Sequence, residues 1–174
     1  MGRYYAEYLK TRVDYRGGPI LDAGCCGGET LIELVKAFPR SKLAGVDLSE
    51  ELLELARSRA EEEGLAQRID FRRADVTALP FPDDQFEFVL SQDMLQVVLD
   101  AAALVDELAR VSRSEGFFYI RAIKRSWLAA LVPILKIAFS AAEARELLNE
   151  TRLRPWRLVE NTWYYTILPQ GAPE

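Results

Sequence analysis

The chain has 174 residues, 49% of them hydrophobic and 28% charged, with a net charge of -5; this is enough for one domain with a substantial core, and it leaves no overall basic footprint for long nucleic-acid contacts. Histidine is absent, which excludes a histidine-based triad, a histidine-ligated metal and an imidazole general base. The two cysteines, Cys25 and Cys26, are adjacent, a spacing that suits neither a disulfide framework nor a metal site.

The opening segment carries Tyr4, Tyr5, Tyr8 and Tyr15, and a helix over Arg3 to Val13 would put Tyr4, Tyr8 and Tyr5 on one side. Met1 to Arg12 lacks the apolar centre of a secretion signal, so a cytoplasmic protein is expected. Gly17-Gly18-Pro19 ends the helix and leads into Ile20, Leu21 and Ala23, a short apolar run that suits a strand buried on both faces. The turn after it is rich in glycine, at Gly24, Gly27 and Gly28. Leu31, Leu34, Val35 and Phe38 then mark the apolar face of a helix beginning near Glu29.

A strand, a tight glycine turn and a helix start form the architecture of a nucleotide site. A dinucleotide fingerprint reads G-x-G-x-x-G and sets a pyrophosphate on the helix N-terminus. Here the turn reads G-x-x-G-G, with Asp22 just before it and Glu29 just after. Two carboxylates repel a pyrophosphate and suit a cation. S-adenosylmethionine, with an ammonium, a sulfonium and no phosphate, has the matching charge. The stretch resembles motif I of the class I S-adenosylmethionine-dependent methyltransferases, roughly hydrophobic-D/E-x-G-x-G-x-G, through Asp22, Gly24 and Gly28. Cys26 replaces the middle glycine.

Further along, Lys42 to Asp47 reads as a second strand ending in an acid about 20 residues beyond the glycine turn, where a carboxylate can take both ribose hydroxyls. Ser49 is the better helix cap, followed by Glu50 and Glu51 and a helix to about Glu63. Ile69 to Arg73 is a third strand, and Asp75-Val76 after it matches the family's adenine position. There the resemblance implies that the carboxylate receives the amino group and the Val76 N–H meets the ring. Leu79 to Ser91 resembles the family's loop and fourth strand, L-P-F-x-D-x-x-F-D-x-V. Leu48, Cys26 and Ser91 complete the implied cofactor set.

Gln92-Asp93-Met94-Leu95-Gln96 stands where acceptors of this family meet the methyl group. The resemblance implies Asp93 as the catalytic candidate and Tyr4, Tyr8, Gln92 and Gln96 as substrate contacts, with residues 1–16 as a cap or lid. As polar loop residues, Asp93 and Gln96 have an equally ordinary reading. Arg72, Arg73, Arg121, Lys124 and Arg125 read as solvated surface charge.

Asp100 caps a helix bearing Leu104, Val105, Leu108 and Val111, and Phe117 to Ile120 is a fifth strand. The apolar stretch Trp127 to Phe139 falls short of the ~20 residues that span a bilayer. It reads as a core or lid helix within an insertion at 124–140, or as a surface for a homodimer or protein partner. Ser140 and Glu143 form a capping box, and Trp156–Asn161 and Trp163–Leu168 read as a closing strand pair.

The expected fold is α/β and Rossmann-like, a mostly parallel seven-stranded sheet of five βα units with helices on both faces and an antiparallel last strand, in a single domain over residues 1–174. The expected function is methyl transfer from S-adenosylmethionine to a small-molecule acceptor, leaving S-adenosylhomocysteine. Neither a metal, nor nucleic acid, nor a membrane span is expected. The alternative is a methyltransferase-like binding subunit that serves a partner, and a nicotinamide-dependent oxidoreductase is disfavoured by the missing fingerprint.

Overall fold

The computed structural model describes residues 2–11, 15–125, 137–153 and 155–172. Most of the Trp127–Phe139 stretch, including Leu131 and Ile134, lies outside them. Helix α1 (Gly2–Lys10) buries Tyr5, Ala6, Tyr8 and Leu9 on one side. Strand β1 (Ile20–Ala23) is buried throughout and feeds α2 (Glu29–Ala37) through the glycine turn. Then follow β2 (Leu43–Asp47), α3 (Glu50–Glu62), a 3-10 turn at Ala66–Arg68 and β3 (Ile69–Arg73). Strand β4 (Phe86–Gln92), helix α4 (Ala101–Val111) and strand β5 (Ser112–Ile123) complete the parallel part. Helix α5 (Ala141–Glu150) and the pair β6 (Trp156–Glu160) and β7 (Tyr164–Pro169) close the fold.

The side-chain signals that mark helix starts in the sequence are made in the structure. Ser49 Oγ accepts from Leu52 N at 3.3 Å, Asp100 Oδ1 accepts from Ala103 N at 2.9 Å, and Ser140 with Glu143 forms both bonds of the capping box. Each cap is worth about 1 kcal/mol, whereas each fully buried Leu or Phe contributes about 1.5–3 kcal/mol. The two apolar layers flanking the sheet therefore hold the fold, and the caps only set where helices begin.

Strand order is β3-β2-β1-β4-β5-β7-β6. The first five strands pair in parallel, and β7 runs antiparallel to both β5 and β6. Alternation along the strands feeds the two layers. Leu21, Val89, Phe118, Ile120, Tyr165 and Ile167 meet α4 and α5 on one face. Ile20, Phe88, Leu90, Tyr119 and Leu168 meet α1, α2 and α3 on the other. The order reverses direction between β1 and β4, which opens a crevice at their carboxyl ends.

The expected five βα units are not all present. Residues 74–85, between β3 and β4, form a loop with no helix. Arg110 on α4 fastens it, donating to the carbonyls of Phe81 at 2.8 Å and Leu79 at 3.0 Å and to Asp83 at 2.8 Å, while Glu107 accepts from Leu79 N. With its turn prolines and buried Leu79 and Phe81, this segment has too little helical periodicity to fold otherwise. Strand β5 also starts earlier than expected, at Ser112, with a register shift against β4 between Phe86 and Phe88.

Candidate functional site

Gly24, Asp47, Leu48, Asp75 and Val76, five residues singled out in the sequence, line one cleft of about 430 Å3 at the carboxyl ends of the strands. Met94 and Val98 help to form its opposite wall. A larger hollow of about 500 Å3, lined by Ser41, Lys42 and Arg68, lies at the amino-terminal edge and touches none of the predicted residues. Strand polarity decides between the two, because ligands of open α/β sheets sit at the carboxyl edge.

The glycine turn is held from β2. Asp47 accepts from Cys26 N at 3.0 Å through one oxygen and from Ser49 N at 3.0 Å through the other. A carboxylate offers about four acceptor sites, so these two bonds fix its orientation and leave capacity for a ligand. Gly24 has φ 86, and a Cβ there would meet Met94 Sδ at 2.5 Å, so the main chain lies open to the cleft only with glycine. Gly28, at φ 76, serves packing instead: a Cβ there would strike Ala56 at 2.9 Å and the Phe71 ring at 3.1 Å. Cys26, an exposed residue, takes φ 47, a conformation in which the family's usual glycine has no penalty.

Asp22 is 1% exposed, and its Oδ1 has no hydrogen-bond partner. Burial, and after it the neighbouring Asp47, pushes its carboxyl up to about 7. Gln96 is likewise buried, with Oε1 unpartnered. Burial raises the Cys26 thiol, and so do the carboxylates of Asp47, Asp22, Glu29 and Asp93. Orphaned acceptors and converging negative charge fit a ligand that donates hydrogen bonds and carries positive charge.

On the rim, Asp75 Oδ1 accepts from the Thr77 N–H at 2.9 Å and from its hydroxyl at 2.8 Å, which keeps this carboxyl below the usual range. Leu48, Val97 and Leu99 are exposed there, an apolar edge of the kind that a flat base covers. Ser91 is fully buried and donates to Ala23 O at 3.1 Å, stapling β4 to β1 beneath the crevice.

Of the expected acceptor residues, Tyr4, Tyr8 and Gln92 meet on the α1 side. Tyr4 and Tyr8 line a second cavity, and Tyr5 donates to Gln92 Oε1 at 2.8 Å. Asp93 sits at φ 55, its N–H bonded to Arg121 O at 2.7 Å and its Oδ2 to Arg121 Nη2 at 2.6 Å. Its other oxygen is buried without a partner. Arg121 is therefore no solvated surface charge: its side chain is 14% exposed, because alternation on β5 turns it to the same face as Tyr119. Met94, within the segment expected to meet the acceptor, serves as a cleft wall instead, and Val97 and Val98 are not singled out in the sequence at all. Their one signal is an apolar run directly after the segment expected to meet the acceptor.

Residues 21–120 match the profile of a family described as methyltransferase domain, more than half of the chain. The chain belongs to that family. The methyl donor of the family is S-adenosylmethionine. This methyltransferase domain is 36% identical over 104 residues to a phosphatidylethanolamine N-methyltransferase of Cereibacter sphaeroides, covering 60% of the chain and 50% of the relative. It is 26% identical over 129 residues to a ubiquinone biosynthesis O-methyltransferase of Coxiella burnetii, covering 74% and 53%. It thus spans about half the length of these curated relatives. Among solved structures, a SAM-dependent methyltransferase from Aquifex aeolicus superposes with a TM-score of 0.79 at 20% identity, covering 96% of this chain and 87% of that one. A geranyl diphosphate C-methyltransferase from Streptomyces coelicolor does so with 0.79 at 18%, covering 95% and 79%. At such identities the agreement is one of fold. Among the described residues, no helix is long and apolar enough to cross a membrane.

Proposed function

We propose that this chain, as one domain over residues 1–174, transfers the methyl group of S-adenosylmethionine to a small-molecule acceptor. The observation that carries the reading is the acidic cleft, lined by Asp47 and Asp75 at the ends of β2 and β3, with Asp22 buried on β1 just before the glycine turn. In this reading Asp47 takes the ribose hydroxyls, Asp75 and Val76 take adenine, and Leu48 lies against the base. Gly24 gives close access to the main chain beside Cys26, and Asp22 with its unpartnered oxygen faces the ammonium. Ser91 and Gly28 hold the frame. When bound, S-adenosylmethionine supplies a methyl group on a sulfonium, so the chain mainly has to align the acceptor and exclude water. Gln92, Asp93 and Gln96, with Tyr4 and Tyr8 on the cap formed by the N-terminal segment, are assigned to the acceptor side. The cytoplasm is the expected location, in keeping with two free cysteines.

A second reading, a binding subunit that serves a partner, is favoured by one specific feature: Asp93, the candidate base, is already bound to Arg121. Calorimetric titration with S-adenosylmethionine, S-adenosylhomocysteine and NAD separates these possibilities. The first two should bind one per chain and NAD should not. Tight binding of NAD alone would overturn the methyltransferase reading, and cofactor binding without turnover on any acceptor would favour the second.

A further inference from the structure

The second cavity, about 340 Å3, shares no lining residue with the cofactor cleft. Its walls are aromatic: Tyr4, Tyr5 and Tyr8 come from α1, Tyr119 from β5 and Tyr164 from β7. Register explains the assembly. Arg121 pairs with Thr166 and Ile123 with Tyr164, so Tyr119, Arg121, Tyr164 and Thr166 share the face of the sheet that α1 overlies.

Among the described residues, Arg121 is the one charged group on these walls. Its guanidinium carbon stands 4.7 Å from the centroid of the Tyr164 ring, while Nη2 reaches Asp93 Oδ2 at 2.6 Å. Asp93 lines neither cavity, and its negative charge reaches both Cys26 in the glycine turn and Tyr5 on the cavity wall. The ion pair therefore joins the two sites, since Arg121 stands on the cavity wall and Asp93 directly precedes Met94 of the cleft wall.

We propose that the tyrosine cavity receives the methyl acceptor, and that the acceptor is an aromatic or conjugated acid whose nucleophilic oxygen arrives already ionised. The inference rests on the methyltransferase reading of the cleft. Ring walls suit a flat, partly apolar body. Phenolic hydroxyls and a guanidinium, with no carboxylate among them, suit an anion. Among the described residues the site also lacks a free base. Burial holds the Tyr5 and Tyr119 hydroxyls above their usual range, Asp93 is committed to Arg121, and the chain has no histidine. An alcohol or an ammonium would have no group to take its proton, whereas an ionised oxygen needs none. A lone pair of that oxygen forms the new O–CH3 bond, the S–CH3 pair stays on sulfur, and no proton is released. Positive and negative charge are neutralised together, a step that a dry site favours.

The test uses three probes of similar shape, 4-nitrophenolate, 4-nitrobenzyl alcohol and 4-nitrobenzylammonium, titrated into the full chain saturated with S-adenosylhomocysteine. The phenolate should bind roughly tenfold more tightly than the alcohol, and the ammonium most weakly. Arg121→Gln should erase the preference for the anion. Tyr164→Leu, at a half-buried position, should weaken the phenolate several-fold without changing S-adenosylhomocysteine affinity, and it serves if the Arg121 variant does not fold. Equal or tighter binding of the ammonium or the alcohol overturns the proposal, as does failure of all three probes to bind a chain that holds S-adenosylhomocysteine. A chain that does not take S-adenosylhomocysteine fails the methyltransferase reading itself, and this proposal with it.

Discussion

The cofactor cleft and the tyrosine cavity are neighbours at the edge of one sheet and are built in opposite ways. The cleft draws Asp47 and Asp75 from the ends of β2 and β3, with Asp22 buried on the neighbouring β1, and its field is negative. The cavity draws its rings from the first helix, the fifth strand and the closing pair, and its charged wall is positive. Tyr4 and Tyr119, whose hydroxyls meet at 3.2 Å, are 115 residues apart. Both sites need the sheet, but the acids of the cleft come from three consecutive, adjacent strands, whereas the rings of the cavity meet only when the first helix and the closing strands are brought together. The first should tolerate changes to the second.

The sharpest way to break this comparison is Asp47→Ala. It removes the carboxylate that braces the glycine turn and is assigned to the ribose, and each charge-assisted bond lost is worth about 1.5–3 kcal/mol. S-adenosylmethionine should bind roughly tenfold to hundredfold more weakly, with circular dichroism showing a folded chain. An unchanged dissociation constant would remove Asp47 from the site.

Next in size is Asp22→Asn, which probes the negative field itself. The folded chain keeps a proton on Asp22 up to about pH 7, while the unfolded chain loses it near the ordinary value of 3.8. This contribution to stability is complete below the unfolded value and is lost as pH rises through 7. The variant should therefore melt roughly a few degrees higher than the native chain above pH 7 and equally at low pH. Cofactor affinity of the native chain should rise with pH through 7, as Asp22 ionises to meet the ammonium, and the variant should lack that rise. A flat native profile would count against the assignment.

On the other side of the comparison, Tyr5→Phe leaves Gln92 Oε1 without its donor and should cost about 1 kcal/mol of stability by denaturant unfolding. Cofactor affinity should stay within about twofold, since the bond belongs to the cavity. A large loss would mean that the two sites are one energetic unit. The smallest effect is expected for Cys26→Gly, because relief of the positive φ, worth about 1–2 kcal/mol, is largely offset by the freer unfolded chain, about 0.4–1 kcal/mol. Affinity should be unchanged or slightly raised, and a clear loss would show that the thiol makes a needed contact.

The sequence by itself determined most of the frame. The apolar runs at Ile20, Leu43 and Phe86, the caps Ser49, Asp100 and Ser140, and the glycine turn are short-range signals that folding preserves, because hydrophobic period and capping act within one or two turns of chain. The order Asp22, Asp47, Asp75 was legible for the same reason, since each acid directly ends or follows a strand. What only the tertiary structure decided is which side chains face each other across the sheet. Arg121 reads as one more surface arginine until β5 pairs with β7 and turns it against Tyr164, and Gly28 reads as a ligand contact until α3 and Phe71 close on it. The loop at 74–85 is settled by Arg110, from a helix that follows it in the chain. These contacts depend on strand register and on burial from distant segments, and neither is encoded in any local stretch of residues.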